Sequence, residues 1–365
     1  MSSYDHKNPV YFVTSVLSPK FDGCKVFDFF VHLTAKLSIA FREIGYPLVL
    51  FVPSSQETAS KDQENYLLTF EKTSDLQARC SGVIINPFDK EKIKNPLADL
   101  IKKFDNLPIM TIDQGFESEK DFKNNINVEA PPSMRCDEVQ GGAFAAQCAI
   151  RLYRYWLDKQ RLDVVIVSGL EGSKNRISGF KQEFKEEKSK NIYFDYHIHD
   201  ALEINGRYDR ATSKELFYDK IGDMIYNDID IIFCCNDEMA LGVRDAISDR
   251  YKEIMNIVID LKKSGQQKAQ QAREIELLRL ANFRILGFDG IQEARTFINI
   301  PDQWLINSID ANIGGQVEGI ISKFLAWEEG TQNSPELESI VGVSCVVNPD
   351  FQFSRCFYNV DELIK

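Results

Sequence analysis

Residues 231–242 read IIFCCNDEMALG: five apolar residues, Ile231 to Cys235, stop at an adjacent Asn236-Asp237 pair, and Glu238-Met239-Ala240-Leu241-Gly242 follows. A short β-branched and aromatic run between polar segments reads as a strand buried on both faces, as in a parallel sheet; the string after it starts a helix. Asn236 and Asp237 then sit at the carboxyl end of a central strand. In open α/β sheets that edge is where ligands bind.

The same pattern recurs in both directions from this stretch. VYFVTSVL, PLVLFVP, GVIINP, LPIMTID, VVIVSG, FRILGFDG and LINSID read as further strands, with helical segments such as FFVHLTAKLSIAFREIG between most of them. The beat is that of βαβ units wound into parallel sheets, and it predicts an α/β fold. Nearly every strand closes on a polar residue or glycine: Ser15, Asn86, Asp113, Gly169, Asn236, Asp289 and Asp310. Gathered at the carboxyl edges of two sheets, these seven would line a shared cleft.

A chain of 365 residues is long for a single core, so two domains are expected. The break is placed in NNINVEAPPSMRCDEVQGG, where Pro131-Pro132 interrupts any helix. One lobe is assigned residues 1–135 plus 311–345 and the other 136–310 plus 346–365, with a helical insertion at about 247–282. Within that insertion Ile254, Ile257, Val258 and Leu261 make one apolar stripe, and Ala269, Ala272, Ile275 and Leu278 another. Ser264-Gly265 offers the bend of a hairpin that buries its own stripe; a docking surface for a second chain is the alternative.

A formal charge of -12, with basic residues interspersed among acids, argues against a nucleic-acid surface or binding to anionic membranes. No apolar run approaches the ~18 residues of a membrane span, so no direct membrane insertion is expected. The start, MSSYDHKNPVYFVTSVLSP, lacks the features of an export signal, which predicts either a cytoplasmic chain or one already trimmed. Eight cysteines without a CxxC pair suit a reducing compartment.

The pieces FFVHL, FREIGYPLVL, GVIINPFD, LPIMTIDQ, CDEVQGG, GSKNRISGF, NGRYDR, CCNDEMALG and ILGFDG, taken in order, resemble the type I periplasmic sugar-binding proteins. The chain resembles the ribose-binding branch in particular, whose fold also serves as the effector domain of lactose-repressor-type regulators. The resemblance implies two doubly wound parallel-sheet lobes joined by a three-segment hinge, a ligand held between them, no cofactor and no metal. It places Phe29 and Phe30 where two aromatics flank a sugar ring, whose C–H faces pack on aromatic surfaces. Asp113 matches the family's carboxylate, but its guanidinium neighbour is replaced by Gln114, so ribose itself does not follow.

Arg176 matches the second lobe's arginine, whose planar fork can grip a ring oxygen and a hydroxyl together, or a carboxylate. The structural alternative for Arg176 is a solvated residue in a first helical turn. Tyr208 stands where an aromatic closes the cleft, and Asn86 and Asn236 supply amides that donate and accept. Asp289 adds a carboxylate, and Asp310 falls at or beside a family glutamine at the hinge. Asp237 is expected to cap the following helix while Asn236 turns to the ligand. The segment SPKFDGCKVFD, before Phe29, adds residues that would cap or narrow the pocket mouth.

The function expected from these matches is a solute-binding protein that closes on a sugar or similar polyhydroxylated molecule, for ABC-type uptake with a permease or for ligand sensing with an output protein. A cytoplasmic effector domain of a lactose-repressor-type regulator is the alternative. Enzyme readings rank lower: SGLEGSKNRISG has the wrong spacing for GxGxxG, and neither GxxxxGK[ST] nor GxSxG occurs. His197 and His199, on one face of a strand beside Asp200, are either a metal pair or partly exposed strand surface; the second is favoured.

Overall fold

The computed structural model describes residues 7–15, 28–55, 58–116, 128, 130–155, 159, 161–169, 173–300, 304–330 and 338–347. Two compact units emerge: unit 1 is Met1–Asp137 with Asn312–Gly342, and unit 2 is Glu138–Ala311 with Val343–Lys365. The chain therefore passes from one to the other three times.

Unit 1 is built on β1 (Val10–Val13), β2 (Leu48–Phe51), β3 (Gly82–Ile85), β4 (Ile109–Ile112), β5 (Ser133–Cys136) and the late strand β12 (Glu338–Val341). Their order is β12-β5-β4-β3-β1-β2, and every pairing is parallel. All four residues of β3 and of β4 are buried, the pattern of strands covered on both faces. Its helices are α1 (Asp28–Glu43), α2 (Ala59–Lys72), α3 (Leu76–Arg79), α4 (Lys90–Lys103) and α11 (Ile313–Glu328). Helices α2 and α4 cover a core of Val13, Ile85, Leu67, Phe70, Leu97 and Leu100. Helix α1 packs with α11, where Phe41 meets Phe324 edge to face at 5.2 Å.

Unit 2 contains β6 (Leu162–Ser168), β7 (Tyr196–Ile198), β8 (Ile204–Asn205), β9 (Ile231–Cys234), β10 (Arg284–Asp289), β11 (Leu305–Asp310) and β13 (Ser344–Val347). The order is β13-β11-β10-β9-β6-β7, with β8 beside the end of β6. All pairings are parallel except β13 on β11, so a short antiparallel strand closes one edge. Its helices are α5 (Glu138–Tyr155), α6 (Lys174–Lys190), α7 (Arg210–Tyr226), α8 (Asp237–Lys263), α9 (Gln267–Asn282) and α10 (Gln292–Ile298). Phe180 of α6 lies flat on Phe233 of β9 at 4.3 Å, seating the helix on the central strand.

Helices α5 and α6 approach backbone to backbone. A Cβ at Gly142 would stand 2.0 Å from the Arg176 carbonyl oxygen, and one at Gly179 would stand 2.0 Å from that of Val139. Only glycine at both positions lets the helices close, and that closure draws the starts of both helices, with Glu138 and Arg176, together.

The insertion is a helical hairpin, α8 and α9, turning at Ser264-Gly265 with Gly265 at φ +70°. The expected stripes are only half correct. Ile254 and Val258 are buried, but Ile257 is 39% exposed. On α9 the expected face points outward: Ala269 and Ala272 are exposed and Ile275 is 54% exposed. Leu277 and Leu280 make the buried face instead. Helix α9 carries too few apolar residues for periodicity to choose its face; packing on α8 and α7 chooses it.

Candidate functional site

The strand-end residues fall into two sets, one in each unit. In unit 1, Asn86 follows β3 directly and is buried. Its amide oxygen accepts a hydrogen bond from the Ser15 hydroxyl. Its Nδ2 donates to the Ile112 carbonyl at 3.0 Å and to Asp113 Oδ2 at 3.3 Å. From α2 the buried Gln63 donates to the Asn86 carbonyl at 2.7 Å and accepts from the Phe88 N–H at 2.9 Å. Asp113 follows β4 with a left-handed backbone, φ +68°, pinned by its N–H on the Met134 carbonyl at 2.8 Å. Phe29 and Phe30 open α1 and meet edge to face at 5.2 Å; Phe29 is buried and Phe30 half-buried. The segment 18–27 expected to cap the pocket mouth lies outside the described residues.

In unit 2 the centre is Arg176, only 8% exposed. It is not the solvated first-turn arginine of the structural alternative. Its Nε lies 3.1 Å from Glu138 Oε1 and its Nη1 lies 3.1 Å from Asp289 Oδ1. The same Nη1 donates to the Cys235 carbonyl at 2.6 Å, and the guanidinium sits 3.9 Å from the centroid of Phe288. An aromatic face beneath and two carboxylates at the rim leave the planar fork one orientation. Tyr208, left-handed at φ +60°, lays its ring against Gly169, where an added Cβ would stand 2.3 Å from it. Burial pushes the Tyr208 hydroxyl pKa well up, opposed by the charge of Arg176, so the phenol stays a neutral donor.

The helix cap expected of Asp237 is made by Asn236 instead. Asn236 caps α8, its Oδ1 accepting from the Met239 N–H at 2.8 Å, while its Nδ2 reaches the Tyr208 carbonyl at 3.5 Å. Asp237 is fully buried inside unit 2, where Ser308 and the Ile291 N–H bond its carboxyl. The helix start explains the exchange, because the residue before the first helical turn aims its side chain back at that turn's N–H groups. Burial first, and the nearby Asp289 charge second, push the Asp237 carboxyl well above the usual range, against the hydrogen bonds from Ser308, Ile291 and Gly290.

Asp310 ends β11 and is paired in the sheet with Asp289, but its carboxylate is held by Arg295 of α10 at 2.5 Å. Arg295 also donates to the Gly290 carbonyl at 2.5 Å. Sequence reasoning missed Arg295, because fifteen positions separate it from Asp310 and no motif joins them. It also missed Glu138, although an acid opening a helix straight after a strand was a usable signal.

His199 bonds Asp163 at 2.8 Å, a carboxylate also held by Arg161 at 2.8 Å, and Asp200 pairs with Lys181 at 3.3 Å. Asp163 is the second residue of β6, at the end of the strand opposite Gly169. Among the described residues no group of three His, Cys, Asp or Glu side chains is placed to hold a metal, and no helix is long and apolar enough to cross a membrane.

Two parallel-sheet α/β units with polar side chains at their carboxyl strand ends define a type I periplasmic-binding-protein fold. The chain belongs to the periplasmic binding protein domain family, whose model matches residues 72–302. Among curated proteins it is similar to the ribose import binding protein of Haemophilus influenzae, 24% identical over 258 residues, covering 68% of this chain and 77% of that one. Among solved structures it is similar to an ABC transporter periplasmic solute-binding protein from Actinobacillus succinogenes with bound D-allose. That match has TM-score 0.66 and 16% identity, covering 93% of this chain and 98% of that one. The Caulobacter myo-inositol binding protein bound to myo-inositol gives TM-score 0.64 and 16% identity, with 95% and 94% covered.

Proposed function

We propose that this protein binds a sugar, cyclitol or similar small polyhydroxylated molecule and performs no chemistry on it. The observation that carries the reading is Arg176, a buried guanidinium at the ligand edge of unit 2, held in one orientation by Glu138 and Asp289. Such a fork is suited to ring oxygens and hydroxyls, and Asp289 accepts from hydroxyls beside it. Asp113 of unit 1, oriented by the Asn86 amide, adds an acceptor, and Phe30 and Tyr208 offer aromatic faces. The names of the similar proteins, with ribose, allose and myo-inositol among them, support this ligand class, and the ABC-transporter description of the Actinobacillus succinogenes protein supports a permease as partner.

Selectivity in this reading comes from dehydration. When ligand replaces water at Asp113, Asp289 and Arg176, a missing hydroxyl leaves a charged group poorly paired, at about 1–3 kcal/mol. The test is a thermal-unfolding screen of the whole chain with D-ribose, D-allose, myo-inositol, hexoses, sugar acids and nucleosides. A ligand at 100 times its Kd stabilises by ~2.7 kcal/mol, a shift of several degrees. Response to one polyol class, lost in Asp113→Ala/Asp289→Ala while the fold persists, is the expected result. Unchanged affinity in that double variant would overturn the assignment of these residues, and silence across the panel the ligand class.

A further inference from the structure

The Asp237 carboxyl is fully buried at the first position of α8. An acid there is favoured by the helix N-terminus, but an exposed acid would gain that without the cost of burial. What burial achieves is reach. Asp237 Oδ2 accepts from the Ile291 N–H at 2.9 Å, and Ser308 Oγ donates to the carboxyl at 2.7 and 2.8 Å. The same Ser308 oxygen accepts from the Gly290 N–H at 3.0 Å. The two amides that follow Asp289 are thus both captured, one directly and one through Ser308.

Asp289 itself stands at φ +106° and Gly290 at φ +67°. A left-handed backbone is strained for an L residue, and it persists only where its surroundings over-determine it. Gly287, two residues before Asp289, makes the room: a Cβ there would stand 2.1 Å from Asp237 Oδ1. Three residues on separate segments, Asp237, Gly287 and Ser308, therefore agree on one conformation of one turn.

We infer that Asp237 is a positioning residue for the ligand site: its carboxyl holds the turn after β10 in the left-handed form that sets Asp289 against Arg176. The inference rests on the reading of Asp289 and Arg176 as ligand contacts. Asp237 touches no ligand; it acts through Asp289. The requirement is an acceptor oxygen at this spot, so asparagine should serve and alanine should not.

The full chain is prepared as Asp237→Ala, Asp237→Asn and Ser308→Ala. Hydrogen exchange of the Gly290 and Ile291 amides, the Arg176 Nη–H resonances that report the Asp289 contact, and affinity for D-ribose, D-allose and myo-inositol are measured on each. In Asp237→Ala we expect Ile291 exchange to rise about 10-fold or more while Val164–Val167 stay protected, the Arg176 signal to broaden, and affinity to fall about 10-fold, as for a lost buried hydrogen bond. Asp237→Asn restores all three readings, and Ser308→Ala, which spares the Ile291 bond, gives a partial loss centred on Gly290. Unchanged Ile291 protection or an unchanged Arg176 signal in Asp237→Ala overturns the inference, as does a lost turn with full affinity. If the unsubstituted protein binds none of these three compounds, affinity is read with whichever ligand the wider screen finds; silence there fails the ligand reading, while exchange and the Arg176 signal still decide whether Asp237 sets the turn.

Discussion

At the carboxyl edge of unit 1, Ser15, Gln63 and Asn86 pass hydrogen bonds among neutral groups before reaching a single carboxylate, Asp113. At that of unit 2, Arg176 is bonded to both Glu138 and Asp289, and Arg295 is bonded to Asp310. The two units share an architecture and differ in how they prepare a polar surface. Neutral amides and hydroxyls can be buried as a network in which each group is satisfied at modest cost. Charged groups must be neutralised within the unit, and the pairing that neutralises them also fixes their geometry. Unit 1 therefore offers a carboxylate positioned by neutral groups, and unit 2 offers a rigid fork whose charge is already answered.

The comparison predicts its own sensitivities. Replacing Arg176 by Ala removes the buried cation shared by the half-buried Glu138 and Asp289, and should destabilise the protein by about 3–5 kcal/mol in urea unfolding. Replacing Asn86 by Ala removes neutral partners and should cost about 1–3 kcal/mol. Equal losses would erase the distinction between the two edges.

Two glycines, one in each unit, differ in what an added methyl would meet. A methyl at Gly142 meets the rigid Arg176 backbone, whereas one at Gly319 of α11 meets the end of the flexible Met134 side chain at 2.0 Å. Gly142→Ala should therefore lower stability by about 1–3 kcal/mol, and Gly319→Ala by less than about 1 kcal/mol, both read from thermal melts.

A smaller effect is expected from pH. The Asp237 pKa is raised in the folded state above its unfolded value of about 3.9. The folded chain thus holds the proton more tightly, so this residue's contribution is full below the unfolded pKa and is lost as pH rises through the folded one. Stability measured across that window should decline in the unsubstituted protein by more than in Asp237→Asn. Parallel curves would mean that Asp237 carries no such shift. Least of all should change with Ile275→Glu on the outer face of α9, within about 0.5 kcal/mol, while Leu277→Ala costs about 2–5 kcal/mol. The opposite order would restore the stripe that periodicity suggested.

Much of this was legible in the linear chain. The strands GVIINP, LPIMTID, IDIIFCCND, FRILGFDG and LINSID all form, because unbroken β-branched and aromatic runs are stable only where both faces are covered. The short strands β7, β8, β12 and β13 carry weaker patterns and are set by the neighbours they pair with. Asn86 with Asp113, and Arg176 with Asp289, are the expected side chains that prove to be bonded to one another. Phe29 and Phe30 meet ring on ring, and Asp310 is taken up by Arg295.

By itself, then, the order of apolar and polar residues determined the α/β class, the strands of both sheets' centres and which polar residues stand at their carboxyl ends. Those are local properties, written in runs of four to seven residues and in the change of side-chain type where each run stops. Only the tertiary structure decided that Asn236 caps and Asp237 is buried, that Glu138 and Arg295 take up the charges of Arg176 and Asp310, and which face of α9 is covered. Each of these depends on partners far apart in the chain. A charged side chain's role is set by the counter-charge and the water it meets after folding, and neither is encoded in its immediate neighbours.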